Sequence, residues 1–307
     1  MAARWSLVVH GGSGQMRRAS TAPEVDLGVR DALGRALDAG AAVLAGGGAA
    51  LDAVEAAVRV LEDDPHFNAG RGAALALNGA VELDAAIMNG RDRSAGAVAG
   101  VTRTRNPVSL ARAVMERSPH VLLAGAGADA FAAEQGMEAA DPAWLAIPER
   151  RRQLEEMLAS DAGAFDVGMK FGTVGAAACD PGGHLAAATS TGGVTGKRPG
   201  RIGDSPVIGA GTWAEDGACA ISCTGAGEFF LRAGAAHAIA ARVRHLGEGI
   251  EAATAAVLDD IRAMGGTGGV IVAAPDGELA WRFTTPGMYR GRVTSAGERV
   301  VALYGDE

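Results

Sequence analysis

Aromatic residues are scarce in this 307-residue chain, at 4%. A core with so few rings must be filled by small aliphatic side chains at close backbone separation. Cysteine is scarcer still. Cys179, Cys219 and Cys223 are odd in number and form no C-x-x-C pair, so reduced thiols in a cytoplasmic protein are the expectation. No run reaches 18 uncharged apolar residues, so no membrane span is expected. The apolar stretch in "MAARWSLVVHGGSG" is too short for a signal peptide. Positive charge is also in deficit. A net charge of −8 argues against sequence-independent nucleic-acid binding. The longest basic cluster, Arg150-Arg151-Arg152, is followed at once by Glu155 and Glu156 and reads as a solvated helix face.

Conventional catalytic signatures are missing too. There is no G-x-S-x-G, no H-E-x-x-H and no P-loop, since "GVTGKRP" has Arg198 where Ser or Thr is needed. The six histidines are scattered, and His10 at the end of an apolar run reads as structural. "LLAGAGADAFA" imitates a dinucleotide fingerprint through Gly125, Ala126 and Gly127. It lies deep in the chain with no second βαβ unit after it, so a tight strand-to-helix turn explains it.

What is present is a chain that changes character midway. Trp5–His10 reads as a strand, and Val25–Leu44 and Leu51–Leu61 carry helical periodicity. Ala74–Met88 reads as a hairpin about Asn78-Gly79. Asn106-Pro107 offers a cap and a first-turn proline for a helix to Arg117. From Asp141 to Lys170 an exposed helix is expected to run into a mobile linker. After Gly172, three further hairpins are expected, about Pro181-Gly182-Gly183, Glu215-Asp216-Gly217 and Asp276-Gly277. Helices over Glu228–His245 and Ile250–Met264 interrupt them. Two groups of helices and two of mainly antiparallel strands predict an α+β fold, with two sheets face to face between helical layers.

Hydroxyls, glycines and one charge pair cluster beyond Gly172. "ATSTGGVTGKRPGRIGDSP" holds Thr189, Ser190, Thr191, Arg201 and Asp204, and "ISCTGAGE" places Thr224-Gly225 after a strand. Glycines let backbone N–H groups approach a ligand closely. On composition alone the same residues read equally well as two ordinary loops with a surface Arg–Asp pair.

These stretches, with "VVHGGSG", "FNAGRGAALALNGAVELDAAIMNG", "KFGTVGAAACD" and "TPGMYRG", resemble the plant-type asparaginase and isoaspartyl peptidase branch of the N-terminal nucleophile hydrolases. The resemblance runs in family order from Val8 to Gly291. It implies a single-domain four-layer αββα sandwich, cleaved between Gly172 and Thr173 into an α chain (1–172) and a β chain (173–307). It also implies hydrolysis of L-asparagine and isoaspartyl dipeptides by a dimer of αβ units. Thr173 matches the nucleophile, Thr191 the threonine that supports it, and Thr224 with Gly225 the oxyanion hole. Arg201 and Asp204 match the residues that grip the substrate's α-carboxylate and α-ammonium, and Asn68 a neighbour of the nucleophile in the substrate site. Leu61, Glu62, Asp64, Phe67, Ala69 and Arg71 match a loop that holds sodium through backbone carbonyls. Sodium rests on the resemblance alone, and the chemistry itself requires no cofactor.

The chemistry fits the residues. A threonine hydroxyl needs a base, and a freed Thr173 α-amine, with a pKa of about 7.7–8.0, supplies one. Gly172 is expected to allow the strained, open backbone that cleavage requires. Two departures stand out: Gly196 replaces a common Asn, at a position expected to be tolerant, and the linker is short. Glycosylasparaginase and threonine aspartase share the nucleophile. A dinucleotide-binding protein using Gly125–Gly127 is the rival from another class.

Overall fold

The computed structural model describes residues 4–159 and 172–307. The expected linker therefore lies largely outside the described residues. In the first half, β1 (Ser6–Gly14) is followed by α1 (Pro23–Ala45) and α2 (Ala50–Asp63), then β2 (Leu83–Asn89), β3 (Ala95–Val101) and α3 (Pro107–Arg117). Next come β4 (Leu122–Ala124), α4 (Gly125–Glu134), α5 (Pro142–Leu145) and α6 (Pro148–Ala159). The second half holds β5 (Val174–Cys179), β6 (Leu185–Thr191), β7 (Thr212–Ala214) and β8 (Ala220–Gly225), then α7 (Gly227–Ala233), α8 (Ala235–Leu246) and α9 (Ile250–Ala263). The strands β9 (Gly268–Ala273), β10 (Leu279–Phe283), β11 (Gly287–Thr294) and β12 (Arg299–Tyr304) close the chain.

Eight strands form one sheet in the order β12-β11-β1-β5-β6-β2-β3-β4, and four form a second in the order β10-β9-β8-β7. All pairings are antiparallel except β3 with β4. Strand alternation sorts the side chains into three layers. On one face of the large sheet, Leu7, Val9, Ala176, Ala178, Ala186 and Ala188 pack under α1, α2 and α3. On its other face, Val8, Ala177, Ala187 and Met88 meet Ala220, Ile271 and Ala273 of the small sheet. The outer face of the small sheet, with Ile221, Cys223, Val270 and Val272, lies against α8 and α9. Alanines between the sheets allow a close approach, which answers the shortage of aromatics. This is the expected αββα sandwich.

The differences from expectation are local. The hairpin about Asn78-Gly79 is a tight turn whose arms meet in a single bridge, Leu75 with Val81. The long helix expected over Glu228–His245 breaks at Gly234, which has φ 56°. Asn106 does not cap α3 through its side chain. Glu62 of α2 does so instead, Oε1 accepting from Val108 N–H at 2.9 Å. The mimic of a dinucleotide fingerprint lies at the sheet edge, where exposed β4 leads into α4 through Gly125 at φ 55°.

Candidate active site

Strand register brings the sequence-matched residues to one end of the gap between the sheets. In the large sheet, His10 lies opposite Gly175, and Val174 opposite Ser190. Thr191 lies opposite Asp84 of β2. Thr173, one residue before β5, therefore comes level with Thr191, and their hydroxyl oxygens are 3.0 Å apart. Across the gap, His10 Nε2 is 2.9 Å from Ser222 Oγ, and Ser13 N–H donates to Thr224 Oγ1 at 3.4 Å. β1 and β8 thus run in the same sense here, and β5 begins where both end. Thr173, Thr191 and Thr224 are all buried.

The bend that opens this end is a bulge in β1. Its register with β11 shifts between His10 and Gly12, and a Cβ on Gly11 would clash with the edge of the Phe67 ring. At the end of β8, Gly225 has φ 149°, and a Cβ there would lie 2.5 Å from Thr267 O and from Gly268 Cα. Only glycine fits there.

Asn68 organises the junction before Thr173. Its backbone N–H donates to the Gly172 carbonyl at 3.0 Å, and its own carbonyl accepts from Gly192 N–H at 2.9 Å. Its side chain is fully engaged as well, with Nδ2 donating to Gly193 O and Oδ1 accepting from Ala74 N–H, both at 2.6 Å. Gly192 and Gly193 also frame Thr191, whose Oγ1 accepts from Gly193 N–H at 3.0 Å. Gly172 is packed too closely against Asn68 to carry a side chain. A Cβ there would sit 2.7 Å from Asn68 Cβ and 2.8 Å from Asn68 N.

Arg201 and Asp204 come together with a partner that the motif reading missed. Arg201 Nε and Nη2 both donate to the Glu228 carboxylate at 2.9 Å, a bidentate pair at the start of α7. Glu228 stands in the quoted "ISCTGAGE", three residues past Gly225, but nothing in its spacing marks it. Asp204 is buried, and its Oδ2 has no hydrogen-bond partner among the described residues. Burial pushes its pKa up to about 7, with Arg201 pulling it down and Glu228 pushing the same way as burial.

Sequence reading also missed a buried polar chain behind the site. From His10 it passes to Ser222, to Thr189 at 2.6 Å, to Thr212 at 2.7 Å and to the Ser205 carbonyl at 3.0 Å. Burial pushes the His10 pKa down to about 3, with the Thr173 backbone working against it. His10 is therefore neutral and structural, as its position in the sequence implied. Lys197 is a further buried cation, with Nζ donating to the Glu82 carbonyl at 2.8 Å beneath Gly193. Gly196 is less permissive than expected. Its φ is 72°, and the methyl end of Met157 occupies the place of a side chain.

The loop with Leu61, Glu62, Asp64, Phe67, Ala69 and Arg71 closes on itself, Arg71 N–H donating to the Glu62 carbonyl at 2.7 Å. Gly72, at φ 90°, packs against the carbonyls of Pro65 and Phe67. Leu61 O and Asp64 O also accept within the loop, from Asp64 and Phe67 N–H at 3.4 Å. Among the described residues there is no group of three or more His, Cys, Asp or Glu side chains able to hold a metal.

A family model described as Asparaginase matches residues 3–303. The isoaspartyl peptidase of Salmonella typhimurium is 47% identical, over 92% of this chain and 93% of its own. That of Escherichia coli is 45% identical over 92% and 91%, and the isoaspartyl peptidase/L-asparaginase of Bos taurus 43% over 92% and 91%. With the threonines, the Arg–Asp pair and the αββα sandwich in place, the chain belongs to the asparaginase family that includes these isoaspartyl peptidases.

Proposed function

We propose that this protein is an isoaspartyl peptidase and L-asparaginase that cleaves itself between Gly172 and Thr173 and then uses Thr173 as its nucleophile. The observation that carries the reading is the junction itself. The Thr173 hydroxyl meets Thr191 at 3.0 Å, while the preceding carbonyl is held by Asn68 N–H.

In self-cleavage, Thr173 Oγ attacks the Gly172 carbonyl carbon, and Asn68 N–H receives the negative charge that develops on the oxygen. The acyl group passes from nitrogen to oxygen while the hydroxyl proton passes to the nitrogen, and water hydrolyses the ester to a Gly172 carboxylate and the Thr173 hydroxyl. The freed α-amine then takes the proton of the Thr173 hydroxyl as Oγ attacks the β-carbonyl of a substrate. Thr224 Oγ1 and Gly225 N–H stabilise the new oxyanion, where one donor typically accounts for about 2.7–4 kcal/mol. The α-amine returns the proton to the departing amine, and water releases aspartate from the ester. Thr191 keeps the Thr173 hydroxyl in line, one of its own lone pairs being taken by Gly193 N–H. Arg201 takes the substrate α-carboxylate by exchanging part of its pairing with Glu228, and Asp204 takes the α-ammonium.

The curl over residues 61–71 would hold a sodium ion through main-chain carbonyls and stiffen the loop that carries Asn68. The working form is a dimer of αβ units in the cytoplasm, where the buried thiols Cys179, Cys219 and Cys223 stay reduced. Among the described residues no helix is long and apolar enough to cross a membrane.

Denaturing electrophoresis tests the reading. The 30.8 kDa chain should give bands of about 17 and 14 kDa, and Thr173→Ala only the full-length band. The smaller band must begin at Thr173. Any other N-terminus overturns the mechanism. The processed protein must release ammonia from L-asparagine and the free C-terminal residue from isoaspartyl dipeptides.

A further inference from the structure

Arg150 is a charged side chain buried to 7% exposure, on the helix that sequence reading took for a solvated face. Its Nε donates to the Gly72 carbonyl at 2.5 Å and its Nη1 to Gln153 Oε1 at 2.9 Å. Among the described residues Nη2 makes no hydrogen bond and no carboxylate pairs with the guanidinium. The nearby acids are committed elsewhere. Glu149 pairs with Arg152 and accepts from Gln153, and Asp64 holds His66 and Arg35, each at 2.7 Å. Burial lowers the guanidinium's pKa from its ordinary value, but an arginine stays charged. An unpaired buried cation is costly unless an anion reaches it.

Arg150 lines a cavity of about 460 Å³ that also touches Gly172, Gly11, His66 and Tyr289. The position of Gly172 matters for the reaction. A departing amine takes its proton from the Thr173 nitrogen, the atom joined to Gly172 in the uncut chain. Gly172 lines this cavity and Thr173 does not, so a leaving part would have to extend past Gly172 to reach Arg150. In an isoaspartyl dipeptide the leaving part is an amino acid with a free carboxylate. Arg201 is already assigned to the aspartyl carboxylate, so the second one needs a second cation.

We propose that Arg150 binds the α-carboxylate of the leaving residue and so favours isoaspartyl dipeptides over L-asparagine, whose leaving group is ammonia. The assignment rests on the β-aspartyl hydrolase reading above. An unpaired guanidinium nitrogen beside a planar carboxylate gives a charge-assisted hydrogen bond, stronger than its neutral counterpart.

The probes are β-aspartyl-leucine, the same dipeptide with its C-terminus amidated, and L-asparagine. The wild-type enzyme should favour the free acid over the amide in kcat/KM by about ten- to a hundredfold. Arg150→Gln should bring that ratio to within about twofold, mainly through KM for the acid, and Arg150→Lys should restore part of it. Because acid and amide are compared within one preparation, a general folding defect cancels. Equal turnover of acid and amide by the wild type would overturn the assignment and leave the proposed activity standing. So would an unchanged acid-to-amide ratio in Arg150→Gln. A processed wild type inactive on all three compounds would instead remove the hydrolase reading, and this assignment with it. If Arg150→Gln abolished self-cleavage, the arginine would be needed before any substrate binds, and the wild-type acid and amide comparison would still decide the matter.

Discussion

Replacing Gly172 by alanine adds one methyl group where the structure leaves no room. The new Cβ would sit 2.7 Å from Asn68 Cβ and 2.8 Å from Asn68 N, against an ordinary contact of at least 3.4 Å. One side must move by about 0.7 Å. Asn68 has little freedom to do so, because Gly192, Gly193 and Ala74 all bond it. The displacement therefore falls on the Gly172 carbonyl, whose bond to Asn68 N–H at 3.0 Å stretches beyond hydrogen-bonding range. Losing that donor costs the cleavage transition state about 2.7–4 kcal/mol, a slowing of about a hundred- to a thousandfold. Overpacking should cost about 1–3 kcal/mol of stability as well, not enough to unfold a typical domain. The assay is a time course of full-length chain converted to two bands, with circular dichroism and a melting curve on the same sample. A folded Gly172→Ala protein that cleaved at the wild-type rate would refute the role given to Asn68 N–H.

Two further perturbations follow from buried ionisable groups. Asp204 must be ionised to accept an ammonium, and in the free protein its pKa is pushed up to about 7. For L-asparagine, kcat/KM should therefore rise through pH 7 on two limbs, one from Asp204 and one from the Thr173 amine. Asp204→Asn should keep only the amine limb and lose about ten- to a hundredfold in kcat/KM. Two surviving limbs would count against it. His10 has its pKa depressed from 6.5 to about 3, so the unfolded chain gains a proton below pH 6.5 and the folded one does not until about pH 3. The stability held by the neutral ring is complete above pH 6.5 and declines as pH falls, by about 2 kcal/mol at pH 5. Urea titrations at pH 5 and pH 8 should show this loss in the wild type and not in His10→Gln. Identical pH dependence in both would show that the ring is not held neutral.

The architecture was legible because its signals are local. Pro181-Gly182-Gly183 and Asp276-Gly277 turn the chain in two-stranded pairs where they stand, and Pro107 starts α3. What stayed hidden depends on residues far apart in sequence. β11 reads poorly as a strand because "GMYRGRVT" is broken by glycines and arginines, yet it fills the place beside β1. Its Arg290 is 1% exposed, with Nη1 bonded to the carbonyls of Met288 and Tyr304. A charged residue normally marks the surface, and here backbone carbonyls reverse that rule. Arg150 misled in the same way, from within a run of three arginines. Thr173 was singled out only through resemblance, and Thr191, Thr224 and the Arg–Asp pair read equally well as ordinary loops until then, since their spacing carries no periodic signal. Glu228 completes that pair through a helix start that lies beside it only in the fold.

The polar chain behind Thr173 bears on why the proposed mechanism calls for a cleaved threonine. His10 is the imidazole placed to serve as a base, opposite Gly175 and two residues along the strand from Thr173. Its Nε2 is already committed to Ser222, and the hydroxyls of Thr189 and Thr212 carry that chain to a backbone carbonyl, away from Thr173. A ring with a pKa of about 3 is also too weak a base to deprotonate a threonine near neutral pH. Asp204, pushed up to about 7, has the basicity, but the proposed mechanism gives it the substrate's ammonium. Carboxylate and imidazole are thus both excluded, one by its task and the other by burial. An amine created at Thr173 is a base that arrives with the nucleophile and needs no further side chain. In that mechanism the close packing of Gly172 against Asn68 is the structural condition for making it.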